Sequence, residues 1–142
     1  MMAGIGSKNT KPEIAVRKIL HARGFRFRLH KKGLPGKPDI VLPKYATIIF
    51  VQGCFWHGHE NCSQFRIPHS RSEFWESKIG SNKARDRRVR SELAATGWSV
   101  VDIWECALKG PGRMDPAALA LQIEETVVRG VAAQIRGATY LE

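Results

Sequence analysis

Residues 47–51 read TIIFV, five consecutive β-branched or aromatic residues, and this composition is typical of a β-strand. A second apolar run, IVLP at 40–43, precedes it, and the intervening PKYA at 43–46 is typical of a turn. We therefore predict two strands joined in a hairpin.

A helix and a strand are predicted before the hairpin. Thr10 suits the N-cap of a helix and Gly24 suits its end. Residues 25–30, FRFRLH, alternate apolar and basic side chains, which is the pattern of a half-buried strand. The alternation predicts that Phe25, Phe27 and Leu29 point inward and that Arg26, Arg28 and His30 point outward.

A helix, a strand and another helix are predicted after the hairpin. Residues 73–97 have a helical pattern that stops at Gly97, residues 98–105 alternate as a strand, and Asp115 begins a helix over 115–130. The order helix, three strands, helix, strand, helix predicts an α/β fold with a central mixed sheet flanked by helices. We expect one domain over residues 1–142, with an arm at 1–9 and an unassigned tail at 131–142.

The charge of the chain indicates a nucleic-acid partner. Lys and Arg number 23 against 13 Asp and Glu, which gives a net charge of +10 and a pI near 10.0. The alternative is a solvated basic surface without a polyanionic partner. No apolar run is long enough to cross a membrane, and the opening residues MMAGIGSKNTKPE lack the apolar region of a secretion signal, so we expect a cytoplasmic protein that does not contact membranes.

Metal-binding residue types are concentrated at 52–62, QGCFWHGHENC. Cys54, His57, His59 and Cys62 lie in this segment, and Cys106 follows a later strand that can return it to the same place. These five donors exceed the four positions of a tetrahedral Zn²⁺ site, so one of them is free for other work. The alternative is a buried core cysteine at 106 with both histidines on the surface.

Three acidic residues are candidates for catalysis. Asp39 begins a strand, where its carboxylate can bind a hard cation such as Mg²⁺, and Glu13 in the first turn of the opening helix can lie beside it. Asp86 lies within the basic run NKARDRRVR at 82–90. That run is either an exposed, charge-balanced helix or a phosphate-binding helix on which Asp86 orients a histidine and DNA is bound by Arg85, Arg87 and Arg88.

Aromatic residues accompany the metal-binding segment. Phe55 and Trp56 are adjacent, and neighbouring residues of an extended segment point to opposite sides, so we expect at least one of them to be exposed. Exposed aromatics on a basic protein can stack on bases or wedge between them. Core packing is the alternative, and for Trp75 considered alone it is the favoured one.

Five segments together resemble the very short patch repair endonucleases, a bacterial family that nicks DNA beside T:G mismatches. They are LPGKPDIVLP at 34–43, IIFVQGCFWHGHENC at 48–62, RSEFWESKIGSN at 71–82, RDRRV at 85–89 and GWSVVDIWECAL at 97–108. The resemblance implies a restriction-endonuclease-like fold. It also implies a DNA nicking endonuclease that acts at T:G mismatches and begins the repair of deaminated 5-methylcytosine.

The resemblance further implies two metal ions. Mg²⁺ would be bound by Asp39 and by the main-chain carbonyl of Val51. A structural Zn²⁺ would be held by Cys54, His59, Cys62 and Cys106. This assignment leaves His57 free for catalysis.

Catalytic and DNA-contacting roles follow from the same resemblance. His57, oriented by Asp86, would be the general base, and Glu13 would support the metal-bound waters. The side chains that would enter the DNA stack from the major groove are those of Phe55, Trp56 and Trp75. Met2 would enter the stack from the opposite side.

The expected partner is double-stranded DNA that contains a T:G mismatch, bound by a monomer, with mismatch-repair proteins as further partners. This chain has Val51 and Gln52 where the best-known members of the family carry threonine and histidine. The second change removes a potential acid or base. This change makes a zinc-bearing but catalytically silent DNA-binding module an alternative, and a nickase of broader specificity is a second one.

Overall fold

The computed structural model describes residues 9–138, which form a five-stranded sheet with helices on both faces. Met2, a predicted DNA contact, lies outside the described residues. The strands are β1 (Arg28–Leu29), β2 (Ile40–Leu42), β3 (Thr47–Gln52), β4 (Ser99–Trp104) and β5 (Ala133–Ile135). The helices are α1 (Lys11–Ala22), α2 (Ser72–Ala95), α3 (Glu105–Leu108) and α4 (Pro116–Arg129), and a 3-10 turn covers Pro43–Tyr45.

The predicted hairpin is formed by β2 and β3. Ile40 pairs with Ile49 and Leu42 with Thr47 in antiparallel register, and Ala46 closes the turn in the left-handed conformation. β1 extends this antiparallel part, whereas β3, β4 and β5 run parallel to one another. The sheet is therefore mixed, in the order β1-β2-β3-β4-β5, and the predicted fold class is confirmed.

The core has two parts, one on each face of the sheet, because side chains alternate along a strand. The larger part lies between the sheet and the helices α1 and α4, around residues such as Leu20, Ile49 and Ile123. The smaller part packs against α2 around Ile48 and Leu93. All but the first residue of β4 are buried, as expected of a strand covered on both faces.

The predicted helix ends are confirmed. The Thr10 side chain accepts a hydrogen bond from the Glu13 amide at 3.3 Å, and the Asp115 carboxylate accepts two from the first turn of α4 at 3.1 Å. Gly130 ends α4 with φ of +67°. None of the helices within residues 9–138 has the length and apolarity needed to cross a bilayer.

The predicted strand at 25–30 is only partly correct. Phe25 and Phe27 pack on the core, but only Arg28 and Leu29 pair with β2, and Leu29 is 41% exposed. His30 has φ of +47°, which ends the alternation and turns its side chain toward Glu13 instead of solvent.

Two elements lacked a prediction. α3 is a single turn, and β5 is a three-residue strand within the segment 131–142. Ile135 of β5 is fully buried in the larger core, and the Gly137 amide lies 3.4 Å from Cys106 Sγ. Residues just beyond α4 thus contribute to the core and to the surroundings of a cysteine.

Candidate active site and metal cluster

Asp39 lies at the end of the sheet where β2 begins and β3 finishes. Its carboxylate accepts a hydrogen bond from the Val51 amide at 2.9 Å, so the hairpin register fixes its position. The pKa of Asp39 is raised to about 6, mainly by burial; the Val51 hydrogen bond opposes the rise, and the nearby negative charge of Glu13 adds to it. A bound cation would offset the free-energy cost of ionising this shielded carboxyl group.

Glu13 is 2% exposed, which is unusual for a residue in the first turn of a helix. Its carboxylate accepts a hydrogen bond from the Asn9 amide at 2.7 Å and is paired with Arg17 at 3.1 Å and with His30 Nε2 at 2.7 Å. The metal-ligating atoms of Glu13, His30 and Asp39 all lie within 4.8 Å of one another. The predicted neighbours Glu13 and Asp39 are therefore brought together, and two carboxylates with one imidazole could hold a divalent cation.

His30 is a residue of this site that the sequence prediction missed. The period-two pattern of 25–30 assigned it to the wet face, and a positive φ at a single residue reverses that assignment. The glycine and proline loop that follows at 33–38 was the only signal that the strand ends here.

His57 and Asp86 form the second pair of the site. His57 Nδ1 lies 2.6 Å from Asp86 Oδ2, with the two side chains 22% and 16% exposed. His57 and Asp39 line the same cavity of about 500 Å³. α2 thus places Asp86, the acid within its basic run, next to His57, as predicted.

The cysteines and His59 form a separate buried cluster. The ligating atoms of its four residues lie within 4.8 Å of one another, and Cys106 Sγ is 3.6 Å from His59 Nδ1. The cluster consists of Cys54, His59, Cys62 and Cys106. Three thiols and one imidazole suit a tetrahedral site for a metal such as zinc, and all four residues are at most 5% exposed.

The chemistry of the cluster also suits a metal ion. Burial raises the pKa of the Cys54 thiol and, with the nearby Cys62, that of Cys106, so a cation is needed to stabilise the thiolates. Burial, reinforced by Arg136, lowers the pKa of His59 to about 4, which keeps the imidazole neutral and able to coordinate. The His59 ring stacks on Trp104 at 3.7 Å between ring centroids, so its orientation is fixed by packing.

The two histidines face different sites because residues 53–61 form a coil of turns. The His57 amide donates to the Gly53 carbonyl at 3.1 Å, and the His59 amide donates to the Cys54 carbonyl at 2.9 Å. Between them, Gly58 has φ of +58°, and a Cβ there would meet Ile79 Cγ2 at 2.7 Å. A glycine at 58 therefore allows the coil to approach α2 closely.

Phe55, Trp56 and Trp75 form one aromatic group. Their ring centroids lie 5.1, 5.4 and 5.8 Å apart in edge-to-face contacts, and all three residues are partly exposed. The expectation that Phe55 and Trp56 point to opposite sides is wrong, because the segment is coiled instead of extended. Trp75 belongs to this surface group and not to either part of the core.

A groove of about 900 Å³ joins the aromatic group to the acidic residues. Its lining includes Glu13, Asp39 and His57 as well as the three aromatic residues. Of the predicted basic contacts, Arg85 lines this groove and Arg87 lines a neighbouring cavity with His57, whereas Arg88 is exposed and lines neither. The predicted residues are thus gathered on one side of the molecule, apart from Arg88 and the undescribed Met2.

The mixed sheet and the groups at its end place the chain in the restriction-endonuclease-like class, in a form that adds a Cys/His cluster able to bind a metal ion. Residues 1–64 match the family model described as DNA mismatch endonuclease Vsr. Type II nicking enzyme V.XorIIP of Xanthomonas oryzae pv. oryzae is 50% identical over 115 residues, which cover 81% of this chain and 84% of the relative.

Two further relatives show similar coverage. DNA mismatch endonuclease Vsr of Escherichia coli is 42% identical over 135 residues, 94% of this chain and 86% of the relative. Type II nicking enzyme V.NmeAIP of Neisseria meningitidis is 50% identical over 109 residues, 77% of each chain. The chain belongs to the Vsr family of DNA mismatch endonucleases, as the resemblance of its motifs predicted.

Proposed function

We propose that the protein is a Mg²⁺-dependent DNA endonuclease that nicks one strand at T:G mismatches and thereby begins the repair of deaminated 5-methylcytosine. The observation that carries the proposal is the groove in which Glu13, Asp39 and His57 lie beside the aromatic group. One surface thus combines groups suited to phosphodiester hydrolysis with groups suited to stacking on bases. The names of the relatives, a nicking enzyme and a DNA mismatch endonuclease, support the nicking of DNA at mismatches.

Asp39 and the Val51 carbonyl are the proposed ligands of Mg²⁺, with Glu13 supporting its bound waters. Glu13 is buried and already paired with Arg17, whereas Asp39 is half-buried and has a pKa raised by burial, so a hard cation would stabilise the ionised form of Asp39. When bound, Mg²⁺ would neutralise charge on the phosphate and acidify a coordinated water. Zn²⁺ in the Cys/His cluster would hold the coil in a fixed shape.

His57 is the proposed general base. The Asp86 carboxylate can only accept a hydrogen bond, so its contact with His57 Nδ1 places the imidazole proton on that nitrogen. The lone pair of Nε2 is then free to take a proton from the attacking water. Asp86 acts through His57 and is a positioning residue.

The aromatic group is the proposed basis of mismatch selectivity. Phe55, Trp56 and Trp75 would enter the base stack, and unstacking costs less at a mismatch than at a Watson–Crick step. The basic side chains Arg85 and Arg87 would contact phosphates beside the nick, and Arg88 would contact the DNA backbone farther from it. The proposed complex contains one copy of the protein, in the cytoplasm, and mismatch-repair proteins act on its nicked product.

A mismatch panel tests this function. Labelled duplexes that differ only in one base pair, T:G, T:A, C:G or A:C, are incubated with the protein and Mg²⁺, and single-strand breaks are resolved on a denaturing gel. Breaks are expected in the T:G duplex only, and Asp39→Ala should abolish them. Binding without breaks would instead support a catalytically silent module, and breaks in several duplexes a broader nickase.

A further inference from the structure

Arg90 occupies a position that the proposed function does not use. Its side chain lines the 500 Å³ cavity together with Asp39 and His57, and it also lines the neighbouring cavity of about 370 Å³ together with Lys83 and Arg87. Arg90 therefore lies where the two cavities meet, beside His57, which lines both.

The guanidinium of Arg90 is held by a hydrogen bond to the buried carboxylate of Asp102. Arg90 Nη1 donates to Asp102 Oδ2 at 3.1 Å, and the Asp102 side chain is fully buried whereas that of Arg90 is 33% exposed. Two amides also donate to this carboxylate, Gln52 Nε2 at 3.0 Å and Gln134 Nε2. An ionised carboxylate in the core needs several such donors to offset the loss of its hydration.

We infer that Arg90 binds a phosphate oxygen of the DNA in the cavity that contains Asp39 and His57, and that Asp102 positions its guanidinium for this contact. The inference rests on the proposed function, since DNA is the proposed ligand. Arginine presents five N–H donors in a planar fork, and the bond to Asp102 uses one of its nitrogens. Because Arg90 lines the cavity and its side chain is partly exposed, the N–H groups that are not bonded to Asp102 can bind phosphate there.

The electrostatics of the cavity agree with an anionic ligand. Its lining contains the cations Lys37, Arg85 and Arg90, while of its two acids Asp86 is paired with His57 and Asp39 is the proposed metal ligand. Anchoring by Asp102 also orders a flexible side chain before DNA binds, which lowers the entropic cost of the contact. A positively charged, pre-ordered group beside His57, the proposed general base, is suited to binding a phosphate at or next to the cleaved bond.

The rival role for Arg90 is that of a counter-ion that only neutralises Asp102. The double variant Arg90→Gln with Asp102→Asn separates the two roles, because it removes the buried carboxylate together with the guanidinium and so leaves no buried charge unpaired. Arg129→Gln is the matched control, since it also removes one positive charge but from an exposed site at the end of α4.

Two measurements on a T:G duplex give the readout. The first is single-turnover nicking with Mg²⁺, and the second is the slope of log affinity against log salt, measured without divalent ions. Loss of one phosphate contact should reduce the magnitude of that slope by about 0.9. We expect Arg90→Gln and the double variant to show this smaller slope and a nicking rate at least 10-fold lower than that of the parent. Arg129→Gln should show neither change.

If the double variant nicks at the parental rate and has the parental salt slope although it lacks the arginine, the inference is wrong and Arg90 is only a counter-ion of Asp102. The inference is also wrong if the slope for Arg90→Gln equals that for Arg129→Gln. If the parent chain binds the duplex but never nicks it, the proposed function fails, whereas the salt slopes still decide the role of Arg90. The melting temperature of each variant shows whether a slower nick merely reflects unfolding.

Discussion

Replacing His57 by glutamine should impair catalysis, whereas replacing His59 by glutamine should impair metal binding and stability, although the two residues are only two positions apart. His57→Gln removes the proposed base and should slow nicking by about 10²- to 10⁴-fold, which is the usual contribution of a general base. The variant should keep its metal, because His57 is outside the Cys/His cluster. Its pair with Asp86 is partly exposed, so the loss of stability should not exceed about 1 kcal/mol.

His59→Gln should have the opposite profile. The ring is 5% exposed and stacks on Trp104 at 3.7 Å, so its removal costs packing and leaves a buried amide among three thiols. Changes of this kind typically cost about 2–4 kcal/mol. At about 2–4 °C per kcal/mol, the melting temperature should fall by about 10 °C. A cluster with three of its four ligands should also lose its metal on dialysis against a chelator.

The assay compares zinc content by mass spectrometry, the melting temperature and the single-turnover nicking rate across the parent and three variants. The third variant is His69→Gln, an exposed histidine outside the cluster and the groove, which should match the parent in all three. Equal loss of zinc from the His57 and His59 variants would refute the division of roles. Nicking by His57→Gln within threefold of the parent would refute its role as base.

Substitutions of Asp39, Gly58 and Trp75 should each have a measurable effect on stability, nicking or DNA binding. In metal-free Asp39→Asn, acidification from pH 7 to pH 5 should lower the unfolding free energy in urea, with a contribution of about 2 kcal/mol from His59, because the unfolded chain protonates His59 near its ordinary pKa of 6.5 whereas the native pKa is about 4. The parent should lose less, because its native state also gains a proton on Asp39, whose pKa is raised to about 6; an equal loss in both proteins would contradict this. Gly58→Ala should reduce both the melting temperature and nicking, because its Cβ would approach Ile79 to 2.7 Å at a positive φ, and unchanged values would show that the coil can shift. Trp75→Ala should weaken T:G duplex binding by about 5- to 150-fold in a fluorescence titration, the usual effect of one lost stacking contact, and unchanged affinity would exclude the ring from the interface.

The elements that follow from the sequence are those with a strong local pattern. Thr10 and Asp115 begin their helices as predicted, and the hairpin of β2 and β3 follows from two short apolar runs separated by a turn. β5 could not be predicted, because three residues are too few to show a period. Its place in the sheet depends on pairing with β4, which is a tertiary contact.

The same distinction applies within the site. The types and spacing of residues in the segment 52–62 predict a metal cluster with one donor left over, since few other roles need so many thiols and imidazoles together. The resemblance to the family is what implies that this donor is His57. The contacts of His30 with Glu13 and of Arg90 with Asp102 join residues 17 and 12 positions apart. A pattern along the chain shows which face a side chain occupies but does not show which partner it meets there.

The coil and Asp39 are positioned by one feature, the pairing of β3 with its two neighbouring strands. Asp39 is tied to the Val51 amide on one side of β3, and on the other side β4 runs parallel to β3 and leads into α3, which carries Cys106 into the cluster with Cys54. The distance between His57 and Asp39 therefore depends on strand register and on the short path from Val51 to His57. The path from His59 to Cys62 returns the chain to the cluster, and its contacts with Lys83 and Arg136 do not involve Asp39. Changes of length in this path should consequently be tolerated by the active site, whereas one residue inserted between Cys54 and His57 should displace the base from the acidic residues.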